Sequence, residues 1–295
     1  MGNKQHVYAK EIEEIVDNMT LMDDDLMSRV FDQNIPATEV LLRTILEEEI
    51  EVISSKGQWD MKNAIVGGRN IRLDIFAKSR NGTYFDCEVQ RSDRGAIPRR
   101  ARFHASMLDT SMLKAGEDFA ELKDSYVIFI TENDYFAEGK PLYRIVRKRE
   151  NGETFEDGSY IIYVNGKYEG EDNLGRLLSD FRRKELSGFN YPELEHGVRQ
   201  FKEGMEGREV MCEAVERYAE KYAEKYAEGK YNSGKMEGRL EGRLEGKLEG
   251  KLEGKLEGKL ESIRAIMQNL HLSAEEAMDS IGVPKSEWEQ YRKML

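Results

Sequence analysis

The sequence predicts an α/β protein: an αβββαβ core with a mixed central sheet flanked by helices, followed by a helical and low-complexity C-terminal tail. Three observations carry this. Two runs of alternating apolar and polar residues, 71–77 and 84–90, flank Asn81-Gly82, the strongest short-range signal for a β-hairpin. The segment 97–115, opened by Pro98, then places Phe103, Met107 and Leu108 on one side at helical spacing. Finally, "SYVIFI" at 125–130 is a nearly continuous apolar run, as a strand buried on both faces is.

Taken in order, residues 8–30 mix acid with a sparse apolar pattern and read as a short helix followed by a solvated Asp23-Asp24-Asp25 turn. In 37–49, Val40, Leu41, Thr44 and Ile45 share a helical face behind Pro36, and Glu39 is expected in the first turn. Residues 50–65 read as a strand and a loop, and the hairpin follows. A two-residue Asn81-Gly82 turn would set Asp74 opposite Val89 and Ile75 opposite Glu88, apolar against charged. A three-residue loop, Arg80-Asn81-Gly82 with Gly82 left-handed, instead pairs Leu73 with Val89, Ile75 with Cys87 and Asp74 with Glu88. The second register keeps the apolar face continuous and makes two carboxylates cross-strand neighbours about 5 Å apart at Cβ, with Gln90 following on their face.

Beyond the 97–115 helix and the central strand, "LYRIVRKR" and "SYIIYVN" supply two further strands, and from 172 the chain turns helical. The expected divisions are a domain over 1–205, a helical connector over 206–234, a Lys/Arg-Leu-Glu-Gly tetrad tract over 235–262, and a small helical segment over 263–295 with Ser273 as an N-cap. On a helix of 3.6 residues per turn, a four-residue repeat rotates each leucine by about 40° and forms no narrow seam. Residues four apart repeat the same charge and repel. A helical spacer, self-association through the glycine stripe, and disorder are the three readings of the tract.

The chain has 295 residues, a net charge of −12 and two cysteines, Cys87 and Cys212. Two distant cysteines build neither a disulfide scaffold nor a zinc site, and the start of the chain shows no apolar signal region, so a reducing cytoplasm is the expected setting. No apolar run approaches the ~18 residues that cross a bilayer, and no membrane role is expected. The acidity argues against nucleic-acid binding along the whole chain, because phosphate affinity rests on Lys and Arg. Between Arg69 and His104, however, nine basic residues (69, 72, 78, 80, 91, 94, 99, 100 and 102) face four acidic ones (74, 86, 88 and 93).

Metal-assisted hydrolysis of a phosphodiester needs hard oxygen ligands converging on a cation such as Mg²⁺, and a group that positions water. Asp74 and Glu88 supply the oxygens, the backbone carbonyl of Val89 can add another, Gln90 can hold the water, and Glu39 would join if its helix packs over the hairpin. Arg72, Arg91, Arg99, Arg100 and Arg102 are candidate phosphate contacts. The ordinary readings stand beside these. Asp74 and Glu88 would be solvent-face residues paired with arginines, Glu39 a helix-start acid favoured by the dipole, the helix arginines a solvated face, His104 a packed or surface histidine, and Cys87 a core residue.

The ordered series "RLDIFA" (Asp74), "CEVQ" (Glu88, Gln90), "RRARFHASMLD", "SYVIFITEND" and "DGSYIIYVN" resembles the PD-(D/E)XK nuclease superfamily, and most closely its transposase-like branch, which includes the recombination-promoting nucleases. The resemblance spans residues 20–205, and the repetitive tail is similar to tails in that branch. It implies a restriction-endonuclease-like fold and a DNA endonuclease dependent on Mg²⁺, with Mn²⁺ as the alternative. Asp74 and Glu88 would be metal ligands and Glu39 the first-helix acid, in a role in DNA recombination or mobility. The superfamily's lysine is replaced by Gln90, as is common in this branch. That change removes a cation, which Arg72 and Arg91 are best placed to restore. The competing reading is a catalytically weak or silent DNA-binding or self-associating protein, forming a homo-oligomer through its tail.

Overall fold

The computed structural model of the protein describes residues 10–63, 65–92, 95–219 and 254–295. They fall into two compact units, 1–219 and 220–295. In the first, α1 (Lys10–Asn18), α2 (Asp24–Phe31) and α3 (Ile35–Leu46) precede β1 (Val52–Met61), β2 (Ile71–Ser79) and β3 (Tyr84–Gln90). Then come α4 (Pro98–Met112), β4 (Ser125–Thr131), β5 (Leu142–Ile145), β6 (Ser159–Asn165), α5 (Asn173–Phe181) and α6 (Pro192–Lys202). Among the described residues six strands form one sheet in the order β1-β2-β3-β4-β6-β5. It is mixed: β3-β4 and β4-β6 run parallel, while β1-β2, β2-β3 and β5-β6 are antiparallel.

Alternation along the central strands sorts side chains onto two faces. Cys87, Val89, Ile128, Ile130, Ile162 and Val164 pack with α2, α3, α5 and α6, and Met211, Cys212 and Val215 of the helical residues 205–219 join that core. On the opposite face Val127, Phe129 and Tyr163 pack with Ala101, Ala105 and Leu108 of α4. Asp86, Glu88 and Gln90 share the α4 face by the same alternation. The β3-α4-β4 crossover therefore lays a helix over the strand that carries the acids. Its N-terminal turn is anchored where the Tyr163 hydroxyl donates to Ala96 O at 2.8 Å.

The hairpin loop has three residues. The N–H of Ser79 donates to Thr83 O and that of Gly82 to Ser79 O, both at 3.0 Å, and Gly82 has φ +93°. Ile75 pairs with Cys87 and Phe76 with Asp86. Leu73 and Val89, expected to pair, instead enter opposite cores, Leu73 with Met61, Ile71 and Phe76, and Val89 with Cys87 and Ile130. The backbone ladder ends at Ile75, and Gln58 of the adjoining strand, set between the Gly57-Ile75 and Trp59-Leu73 pairs, is left-handed with φ 46°. A left-handed residue inside a strand interrupts alternation and increases local twist. The two strands part at Asp74.

Two expectations about the N-terminal helices are corrected. The Asp23-Asp24-Asp25 run begins α2, because Leu26, Met27, Val30 and Phe31 are buried and draw the acids to the helix start, where its dipole favours them. Helix α3 starts at Ile35, with the Asn34 side chain accepting from the N–H of Ala37 at 3.2 Å, so Glu39 lies past the first turn.

In the second unit, helical residues 254–270 pack through Leu260 and Ile263 on Ala277, Met278, Val283 and Tyr291. Ser273 caps the helix Ala274–Ser280 in a reciprocal pair with Glu276. Residues 220–234 of the connector and 235–253 of the tetrad tract lie outside the described residues.

Gly57 sets the approach of α2 to the sheet: its N–H donates to Asp32 Oδ1 at 3.0 Å, and a Cβ there would stand 1.8 Å from the backbone oxygen of Ser28. Gly57→Ala is expected to destabilise the protein by roughly 1–3 kcal/mol through overpacking. Urea denaturation checks this, and an unchanged midpoint would contradict the packing.

Candidate active site

Where β2 and β3 part, side chains replace the ladder. The N–H of Asp74 donates to Glu88 Oε1, and the N–H of Val89 donates to Asp74 Oδ2, both at 3.1 Å. Each carboxylate thus accepts the backbone donor that the other strand leaves unpaired. Glu88 and Asp86 are fully buried. Asp74 opens on a cleft of about 360 Å³, whose lining includes Asp23, Asp24, Val89, Gln90 and Arg100.

Arg100, in the first turn of α4, holds the cluster together. Its Nη2 donates to Glu88 Oε2, its Nη1 to Gln90 Oε1 at 3.2 Å and Gly95 O at 3.0 Å, and its Nε to His104 Nε2 at 3.2 Å. An acceptor at Nε2 leaves the imidazole proton on Nδ1, which lies 2.7 Å from Asp86 Oδ2. The chain Asp86-His104-Arg100 therefore fixes one histidine tautomer and one guanidinium orientation. Gln90 completes it with an Nε2 donation to Glu88 Oε2 at 3.4 Å. Gly95 permits the close approach, since a Cβ there would fall 1.8 Å from Gln90 Oε1.

These acids are reluctant to ionise. Burial, then the neighbouring Glu88 charge, pushes Asp74 up to about 8. Burial, then Asp86, pushes Glu88 up to about 8. Asp86 is driven well above the carboxylate range by burial and next by Asp74, and its Oδ1 is buried without a hydrogen-bond partner among the described residues. Burial lowers His104, consistent with a neutral ring.

Were the three carboxyl groups ionised, one guanidinium would leave an excess of negative charge that a divalent cation would offset, and hard oxygens suit Mg²⁺ or Mn²⁺. The residues fit such an ion. Asp86, Glu88 and His104 also bring one ligand atom each within 4.8 Å of one another. With Arg100 donating to Nε2, however, His104 Nδ1 carries the proton and offers no lone pair.

The structure brings Asp74, Glu88, Val89, Gln90 and Arg100 together. It does not bring Glu39 to them: Glu39 Oε1 accepts from the N–H of Val52 at 2.9 Å, and Oε2 pairs with Arg43 at 3.1 Å. The helix acids lining the cleft are Asp23 and Asp24 instead. Arg72 is engaged by Asp60 at 2.8 Å and Arg91 by Asp23 at 2.9 Å, so neither reaches Glu88, and Arg100 is the cation beside it. Arg99 and Arg102 are exposed on α4. The sequence signal for Asp24 was an acid directly before a buried amphipathic stretch. For Asp86 it was the alternation that already linked Glu88 to Gln90.

Folding raises Asp74 and Glu88 from the ordinary carboxylate range to about 8, so the folded state holds protons that the unfolded chain releases. Their contribution to stability is full below about pH 4 and is lost as pH climbs through 8. Asp74→Asn removes one charge and relieves Glu88. The metal-free variant is expected to exceed the parent by on the order of 1–3 kcal/mol at pH 8, the gap closing toward pH 4. Denaturation of both proteins across that range checks it, and a gap independent of pH would contradict the coupling.

Compared with known proteins, residues 26–168 match the family model described as PD-(D/E)XK nuclease family transposase. No curated protein and no solved structure matches the chain. The matched segment runs from α2 to the end of β6 and contains the whole Asp74-Glu88-Arg100 cluster on a mixed, helix-flanked sheet. Over this α/β domain, residues 26–168, the chain is similar to the PD-(D/E)XK nuclease transposase family.

Proposed function

We propose that this protein is a metal-dependent DNA endonuclease of transposase-like type, acting in DNA recombination or mobility. The observation that carries the reading is the convergence of Asp74 and Glu88 at the parting of two strands, under a helix whose first turns carry Arg99, Arg100 and Arg102. Asp74 and Glu88 would hold Mg²⁺ or Mn²⁺, with the Val89 carbonyl as a further oxygen. The ion would supply Lewis-acid polarisation and a nucleophilic water. Gln90 orients that water through its amide. Arg100 keeps Glu88 in place and provides the fixed positive charge that a lysine would otherwise supply. Arg99 and Arg102, and Arg72 and Arg91 at the margins, take the DNA phosphates, which the N-terminus of α4 also favours. Asp24 takes the helix-acid role expected of Glu39. We place the protein in the cytoplasm, where the buried Cys87 and Cys212 stay reduced. Among the described residues no helix is long and apolar enough to cross a membrane.

A second reading, a DNA-binding protein with little or no cleavage, is favoured by one observation: Arg100 already occupies Glu88 Oε2. Plasmid nicking separates the two. Cleavage that requires Mg²⁺ or Mn²⁺ and falls at least about 100-fold in Glu88→Gln and Asp74→Asn, with the fold intact by circular dichroism, is expected. Arg100→Ala should lose a comparable factor, mostly in kcat, and recover part of it in added guanidinium. Equal cleavage by the carboxylate variants refutes the hydrolytic reading, and salt-sensitive binding without product supports the second.

Cutting both strands requires two such sites, and the C-terminal tail is our candidate for pairing two copies. Sedimentation of the full chain against one ending at residue 219 is expected to show a dimer only with the tail. A dimer in both would assign the pairing to the first unit.

A further inference from the structure

The loop between β1 and β2 is built to present two apolar side chains to solvent. The N–H of Asn63 donates to Asn70 Oδ1 at 2.9 Å and closes its base. Asn63 Nδ2 reaches Met107 Sδ of α4 at 3.7 Å. At the tip, the N–H of Gly68 donates to Ile65 O at 2.8 Å across a turn in which Gly67 has φ 79°. A Cβ on Gly68 would lie 2.6 Å from Asn63 Cγ, so glycine allows the loop to close on itself. On this frame Ile65 is 74% exposed and Val66 101%. A hydrogen-bonded loop with β-branched residues at its outermost point does not bury them in this chain.

The foot of the loop is strongly basic. Arg69 and Asn70 line a cleft of about 660 Å³ together with Arg72, Arg99, Arg100 and His104. Among the described residues Arg72 is paired with Asp60, whereas Arg69 and Arg99 form no ion pair. Arg100 spans from this cleft to Glu88. A phosphate backbone drawn into the cleft would therefore run between the loop and the carboxylates.

We propose that Ile65 and Val66 form a wedge that inserts between base pairs of double-stranded DNA and unstacks a step beside the phosphate to be cut. This rests on the DNA endonuclease reading and adds to it how the substrate is selected. Two side chains are far too small a surface for a stable protein interface, which needs about 800 Å² on each partner. They match a single base step, and apolar wedges flanked by basic contacts are how proteins kink duplexes. Because the cost of unstacking depends on the step deformed, the wedge confers preference for flexible or mismatched steps with no hydrogen bond to a base edge.

The test uses the full chain without divalent metal and a duplex carrying 2-aminopurine beside a single mismatch, compared with a matched duplex. Binding is read by anisotropy and unstacking by 2-aminopurine fluorescence. The parent protein is expected to brighten the probe and to bind the mismatched duplex about tenfold more tightly than the matched one. The double variant Ile65→Ser, Val66→Ser should weaken matched-duplex binding by no more than about threefold, since phosphates supply most affinity, yet lose both the brightening and the mismatch preference. Binding without brightening, or a variant that behaves as the parent, overturns the wedge and leaves the endonuclease reading standing. A change in sedimentation coefficient in the variant overturns it in favour of contact between copies. Absence of DNA binding by the parent overturns both.

Discussion

The structure turns on the burial of like charges in one hairpin. Asp74 and Glu88 face each other where β2 and β3 part, with Asp86 behind them and two of the three acids fully buried. Two unit charges at 4 Å repel by about 4 kcal/mol at an effective dielectric of 20, so this cluster opposes folding unless donors and a cation compensate. The compensation is specific. Two backbone N–H groups left by the ended ladder, the Arg100 guanidinium and the Nδ1–H of His104 all point at these oxygens. What remains is a cluster of carboxyl oxygens whose ionisation the protein's own donors favour only in part.

The fold delivers these groups by short routes. Parallel pairing of β3 with β4 requires a crossover, and α4 provides it, starting eight residues after Gln90 and covering the face to which Asp86, Glu88 and Gln90 alternate. The first turn of that helix is consequently set over the acids. The aromatic stack of Tyr163 on Phe129, with centroids 5.4 Å apart, and the Tyr163 hydroxyl on Ala96 O fix where the turn begins. Arg100 also lies 5.9 Å over the Phe129 ring, so the guanidinium is held on one side by apolar packing and on the others by hydrogen bonds. Such a group loses little further freedom when it acts.

Much of this was legible in the sequence where local rules govern. The alternation around Asn81-Gly82 gave the three-residue loop and the facing of Asp74 and Glu88, because a one-residue slip would have inverted both faces. The rules failed where long-range packing decides. Asp23-Asp24-Asp25 reads as a solvated turn when the only neighbours considered are in sequence. The burial of Leu26, Met27, Val30 and Phe31 makes it the start of a helix aimed at the site. Glu39 has the right residue type on a plausible helix, but it serves Val52 and Arg43. Leu73 and Val89 separate because Gln58, on a third strand, adopts a conformation no hairpin pattern records. Arg72 and Arg91 are nearer to the acids in sequence than Arg100, yet each has its own carboxylate.

Gln90 and Arg100 form one hydrogen-bonded unit around Glu88. The amide accepts a hydrogen bond from Arg100 Nη1 at Oε1 and donates one from Nε2 to Glu88 Oε2. Lysine, with three donors and no acceptor, cannot take both parts. An ammonium there would also meet the guanidinium that now donates to the Gln90 amide at 3.2 Å, with only the shared carboxylate to offset the repulsion. A lysine at 90 would therefore displace Arg100 from Glu88 and, with it, the hydrogen bond that sets the His104 tautomer against Asp86. In this chain the positive charge comes from the helix, and the strand position carries the neutral group able to accept that helix's hydrogen bond. The buried Asp86-His104 pair supports that guanidinium: His104 Nδ1 lies 2.7 Å from Asp86 Oδ2, and its Nε2 accepts from Arg100 Nε at 3.2 Å.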